Sequence, residues 1–226
     1  MKQCLLIILL SSVFGVAYPQ TDRFETDWIL YWQPDIKIQF TDYQKQPDSS
    51  EFNMMTRHGT KSMANIQIHS VLDYPKKSRK LKYLKEQWYF APAFCKKCSP
   101  IIQEDSIDLL HAQAYFDIAE YCARVTRKKI AELEKQNYGN GFIGALYPRL
   151  VDDMYKLMGE MFGSFGSEVL IDKKPGAYED WRKSVNEMLE MTKDYATKPI
   201  ECQRFIIDKP FSDEYKVSYA VYGKDL

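Results

Sequence analysis

Asp105-Ser-Ile-Asp-Leu-Leu-His111-Ala-Gln-Ala-Tyr115-Phe-Asp-Ile-Ala-Glu120-Tyr-Cys-Ala-Arg124 opens a segment whose period decides the fold. Ile107, Leu110/His111, Ala114, Ile118, Cys122 and Val125 recur at three- and four-residue steps, the spacing of a buried helical stripe. Acidic residues stand at its start, and Arg127, Lys128 and Lys129 lie towards its end, as the helix dipole favours. The spacing predicts one long helix over 105–136, stopped by Asn137-Tyr-Gly-Asn-Gly141. His111, Tyr115, Ile118 and Cys122 then project to neighbouring points on one face.

Upstream the period is two. Residues 24–43 are rich in aromatic and aliphatic side chains, and Ile36-Lys-Ile38-Gln-Phe40 alternates like a half-buried strand. Gln46-Pro-Asp-Ser-Ser50 reads as a turn. Ala64 to Ser70 alternates again, and Tyr83 to Phe94 forms a further strand with Trp88 and Phe90 on one face. Downstream, helical patterns resume over 146–163 and 175–195, with Pro175 suited to a first turn. Cys202 to Ile207 and Tyr215 to Tyr222 read as strands. The expected fold is α+β: an antiparallel sheet of three to five strands on the long helix, two further helices, and a short C-terminal β segment.

Met1-Lys2 followed by an apolar run from Cys4 to Leu10, then Gly15-Val-Ala17, reads as a signal peptide over 1–17. The run is too short for a permanent span, so the expectation is an exported chain, periplasmic or secreted, with no stable membrane span. The main domain is expected over 18–198, with a strand-like appendage over 199–226. Lys+Arg and Asp+Glu both number 31, a balance that argues against nucleic acid as a partner. Export favours disulfides among Cys95, Cys98, Cys122 and Cys202, with a preference for a bond from the Cys95/Cys98 loop to Cys122 and for Cys202 securing the C-terminal segment. Lys76, Lys77, Arg79, Lys80, Lys82 and Lys85 form a basic hairpin tip, read as a solvated loop.

The long helix also carries a chemical motif with its chemistry removed. A zinc-peptidase helix places two His one turn apart, with a Glu after the first to take a proton from metal-bound water. Here His111 is present, but Ala112 stands at the base position and Tyr115 at the second ligand position. A lone imidazole cannot hold a catalytic zinc, which takes three protein ligands. Cys95-Lys-Lys-Cys98 lacks the βαβ setting of a redox motif. A structural metal site from Cys95, Cys98, His111 and Cys122 is the rival to disulfides.

His111 through Glu120, then Tyr121-Cys122-Ala123-Arg124, resembles the signature of an exported bacterial family grouped as domain of unknown function nine-twenty-two. Its members are regarded as zinc-dependent peptidases. Lys45-Gln-Pro47-Asp48, Met54-Met-Thr56-Arg-His-Gly59 (a strand start in the family) and the helix around Trp181 are similar to further parts of the family pattern. The resemblance covers about residues 27–190 and departs at Ala112 and Tyr115. It implies a catalytically degenerate relative with no cofactor expected, retained to bind a protein or peptide or as a structural core. The alternatives are an active zinc enzyme with a rearranged ligand set drawing on His111 and Glu120, and a secreted interaction protein with no peptidase-related role.

Overall fold

A computed structural model describes residues 23–76, 84–136 and 141–221. The signal segment 1–17, the basic residues Lys77, Arg79, Lys80 and Lys82, and most of the 137–141 break lie outside the described residues. The fold is α+β, as the change of period implies. Four strands form one antiparallel sheet, β1 (Ile29–Tyr31), β2 (Ile66–Pro75), β3 (Gln87–Cys95) and β4 (Tyr215–Val221), in the order β1-β3-β2-β4. Among the described residues five α-helices accompany it: α1 (Ser49–His58), α2 (Ser106–Lys135), α3 (Phe142–Phe165), α4 (Ala177–Met191) and α5 (Pro199–Ile207).

Strand parity sorts the core into two layers. Leu30, Ile66, Ile68, Leu72, Phe90 and Phe94 face the main core against α2 and α3. Trp88 packs there too, on the face it shares with Phe90. Tyr31, Val71, Ala91 and Ala93 face the other way and are covered by Cys202 and Phe205 of α5. The segment expected to be a strand from Cys202 is therefore a helix. Lys198 and Pro199 open it, and a nine-residue stretch buries Cys202 and Phe205 at a three-residue step. Residues 199–221 are built into the sheet and its back layer, since β4 pairs with β2 from Ser70↔Val221 to Pro75↔Tyr215.

Other local expectations shift for physical reasons. Ile36 and Ile38 are buried and Lys37 is exposed, so the alternation holds, yet the segment joins no strand. The Ile38 N–H is taken by Gln113 Oε1 of α2, at 3.2 Å, in place of a sheet partner. The turn cluster at 46–50 is the start of α1: Asp48 accepts from the N–H groups of Ser50 and Glu51, and Glu51 accepts from Asp48 N in return. Met54 to Gly59 is accordingly the end of a helix, closed by Gly59 at φ 72°. In α2, Asp105 caps the first turn as its position suggests. Ile107 and Leu110, however, are 61% and 52% exposed, so the buried stripe starts at Ala112.

The cysteines divide by sheet face. Cys95 bonds to Cys98, while Cys122 and Cys202 are buried free thiols. Cys122 sits in the main core and Cys202 in the back layer, and Cys95 shares strand parity with Ala91 and Ala93, away from α2. A bridge from Cys95 or Cys98 to Cys122 would have to cross the sheet. Burial pushes the Cys122 thiol up to about 12.

Beneath these layers runs a buried ionic network. Glu120, fully buried, accepts from Arg124 Nε at 2.7 Å, Thr197 N at 2.8 Å and Thr197 Oγ1 at 2.5 Å. Arg127 donates to Glu201 Oε1, to the Tyr195 and Phe90 carbonyls, and to Thr197 Oγ1. Removing one member strands the others without water, at a cost of about 3–5 kcal/mol. Glu120→Ala should therefore lower the urea-derived unfolding free energy by about that amount, whereas removing the exposed Lys129–Asp153 pair through Lys129→Ala should leave the midpoint unmoved.

Candidate functional site

The first half of α2 forms the floor of a cleft of about 470 Å³. Asp108, His111, Ala112 and Tyr115 lie along it at helical spacing, so the positions singled out by the zinc-helix motif share one surface. The opposite wall comes from α1 and the extended chain after it, with Met54, Met55, His58, Thr60 and Met63. Phe162 and Gly163 of α3 close a third side, and Leu170 and Ile171 form the rim. A second hollow of about 390 Å³ adjoins it, sharing His58, Thr60, Asp108, His111 and Leu170 and reaching Lys173, Lys174 and Glu179.

The rim residues belong to a π-helical turn, Gly166–Ile171, that widens the end of α3. Such turns recur at functional sites because the wider coil redirects side chains. Close approach requires glycine at its start. A Cβ on Gly166 would lie 2.8 Å from the Tyr115 hydroxyl, and the Tyr115 ring is held edge-on between Phe162 and Phe165, at 4.8 and 4.7 Å. Of the glycines at 159, 163 and 166, the last is thus a position set by packing.

Tyr115 is a neutral phenol here: burial pushes its pKa up to about 12, away from the phenolate that could ligate a metal. His111 is half-buried, edge-on to Tyr178 at 5.4 Å and Phe165 at 6.1 Å. Its Nδ1 is shut from solvent and has no hydrogen-bond partner among the described residues. Burial lowers its pKa, outweighing the opposite pull of Asp108 and Asp105. Asp108 Oδ2 accepts from the N–H groups of Lys61 and Ser62, fixing the cleft's far wall to α2.

Glu120, weighed as an extra ligand, is not at this site. Nine residues at about 100° each turn it to the opposite side of α2, where the network of Arg124, Thr197 and Arg127 consumes it. Asp117 and Arg124 share that side. Asp117 accepts from Trp32 Nε1, Gln113 Nε2 and Arg182 Nη1, and Arg124 donates to the Leu189 carbonyl and lies over the Trp32 ring. The Cys95, Cys98, His111 and Cys122 set is likewise dispersed. Cys95 and Cys98 bond to each other, and Cys122 lies three helical turns beyond His111, about 16 Å along the axis.

The chain matches no family model, no curated protein and no solved structure. Zinc, which the likeness at His111 implies, does not fit the side chains present. Ala112 offers a methyl group, Tyr115 a neutral phenol, and Asp108 an oxygen already bonded to two backbone amides. Among the described residues no group of three or more His, Cys, Asp or Glu is placed to hold a metal ion. The α1 methionines and the π-helical turn were not foreseen. The capping pair Asp48 and Glu51 was the available signal for α1; nothing in the sequence marks a π-helical turn.

Two tests follow from this geometry. Gly166→Ala should destabilise by about 1–3 kcal/mol through overpacking, despite the gain alanine brings to a helix, and the loss should vanish in a Tyr115→Phe background when both are measured by chemical unfolding. For His111, the unfolded ring takes up its proton near the usual ~6.5 while the folded ring does so only at lower pH, so the unfolded state binds more protons in that window. Stability is lost as pH falls below about 6.5 and the loss ends below the folded value. His111→Gln should flatten that part of the stability–pH curve.

Proposed function

We propose that the protein is a non-catalytic relative of the zinc peptidases, exported from the cytoplasm, whose α2 cleft binds where an active relative would cut. The single observation behind this is the floor of the cleft. A methyl group at Ala112 and a packed, neutral phenol at Tyr115 line a hollow next to His111. General acid–base catalysis contributes about 10²–10⁴-fold, and a methyl side chain supplies none of it. The hollow has the size of small-ligand pockets, which run to about 300–1,000 Å³. Its methionines are flexible and polarisable, well suited to accommodating a bound group. The partner expected from the likeness is a protein or peptide.

Metal analysis of the purified chain, paired with a general peptidase assay, tests this reading. The expected result is sub-stoichiometric zinc and no chelator-sensitive cleavage. Tyr115→His combined with Ala112→Glu should raise zinc uptake above wild type, because it sets two imidazoles one turn apart at the cleft floor. Stoichiometric zinc with chelator-sensitive hydrolysis by the unaltered chain would overturn the proposal.

A further inference from the structure

We infer that the α2 cleft takes an uncharged amphiphile, an apolar chain or ring bearing one hydroxyl, carbonyl or amide group, in place of an extended peptide backbone. The inference rests on the cleft being a binding site, as proposed above, and replaces the peptide that the likeness implies as its occupant.

Three features of the cleft carry it. First, an extended peptide would need backbone donors along the wall at 60–63, and these are committed. Thr60 N donates to the Met55 carbonyl, Lys61 N and Ser62 N to Asp108, and Met63 N to the Pro100 carbonyl. Strand addition, which draws its affinity from such main-chain bonds, has little to bond to there. Second, the walls are apolar side chains of Met54, Met55, Met63, Phe162, Leu170 and Ile171, of which Met54 and Ile171 stay 41% and 63% exposed at the mouth. Such surface favours hydrocarbon in proportion to the area it removes from water. Among the described lining residues Asp108 is the one carboxylate, and no Lys or Arg balances it. A ligand carboxylate would enter against that charge, and a ligand ammonium would meet an Asp108 oxygen already held by two backbone N–H groups, with Lys173 and Lys174 in the adjoining hollow, so a neutral ligand meets neither penalty.

Third, one polar ring stands among the apolar walls. The His111 Nδ1 is closed off and has no partner among the described residues. The same ring lines the cleft, so a ligand with one hydrogen-bonding group can meet the imidazole there and is preferred over plain hydrocarbon. Thr60 also lines the cleft, and its hydroxyl, which donates to the Met55 carbonyl, keeps its acceptor lone pairs. The structure also provides room to test occupancy without breaking the fold. Gly163 lies on the wall, inside α3, and a Cβ added there meets nothing within 4 Å.

The test is calorimetric titration of the full chain with octan-1-ol, octanoate and octylamine, repeated on Gly163→Leu and His111→Phe, with folding of each variant verified by its thermal transition. Octan-1-ol should bind saturably, with octanoate weaker by tenfold or more and octylamine no tighter than the alcohol. Gly163→Leu should abolish alcohol binding while keeping or raising Tm. His111→Phe, which retains the apolar wall, should weaken it by about fivefold, the worth of one hydrogen bond. Octanoate or octylamine binding more tightly than the alcohol would overturn the inference, as would alcohol binding that Gly163→Leu leaves unchanged. A short unstructured peptide that binds and is blocked by Gly163→Leu, while octan-1-ol gives no heat, would overturn it and leave the non-catalytic binding reading standing. Zinc-dependent cleavage would remove that reading instead.

Discussion

Phe90 stands where the sheet runs out of partners on one side. It lies on β3 beyond the end of the short β1, which reaches only Ala93, so its backbone N–H and C=O on that side have no strand to meet. Two charged side chains take the strand's place: Arg127 Nη2 donates to the Phe90 carbonyl at 2.6 Å, and Glu201 Oε1 accepts from the Phe90 N–H at 3.3 Å. The same Arg127 and Glu201 bond to each other and, through Thr197 and Glu120, to Arg124 and the end of α4. Sheet edge, α2, α5 and the connection after α4 are thereby fixed by one set of desolvated charges. Charges so far from water are tolerated only because nearly every oxygen and guanidinium nitrogen has a partner. The arrangement specifies where α5 docks more sharply than apolar contact alone would, since a helix sliding by one residue would break several of these bonds together.

A second buried pair repeats the device at the other end of the sheet. Arg204 on α5 and Asp73 on β2 are both fully buried and bonded at 2.7 and 2.8 Å in a two-point geometry. Asp73 stands at the register shift where β2 meets β4. Together the two clusters pin α5 along its length, and the small apolar layer of Tyr31, Val71, Ala91, Ala93, Cys202 and Phe205 fills the space between them. The back of the sheet is therefore held largely by ions, and the front by hydrocarbon.

Much of the front was readable from sequence. The period of 105–136 locates α2 to within a residue at each end, because Asp105 is both cap and pattern boundary. Alternation located β2 and β3, whose side chains divide between two buried layers, and the edge strand β4, whose Tyr215, Tyr219 and Val221 are its less exposed positions. The back was not readable. Cys202-Gln-Arg-Phe205-Ile-Ile mixes β-branched and polar residues in an order that fits either period, and only its docking on the sheet settles it as a helix. Ile36 to Phe40 shows the converse, an inside–outside rhythm imposed by lying across α2 rather than by pairing. At the site, the floor was legible because four of its residues belong to one helix. The walls were not, because α1 and the π-helical turn reach the cleft from segments more than forty residues away on either side.

The two sides of α2 answer to different demands. His111, Ala112 and Tyr115 line the cleft, while Asp117, Glu120, Arg124 and Arg127 lie half a turn round and hold the molecule together. Substitutions on one side leave the other's bonds intact. A side chain at the hollow can change without breaking an ionic bond, whereas a change on the opposite side breaks several at once. One helix thus carries both the floor of the cleft and the anchor of the fold, and the two can vary independently.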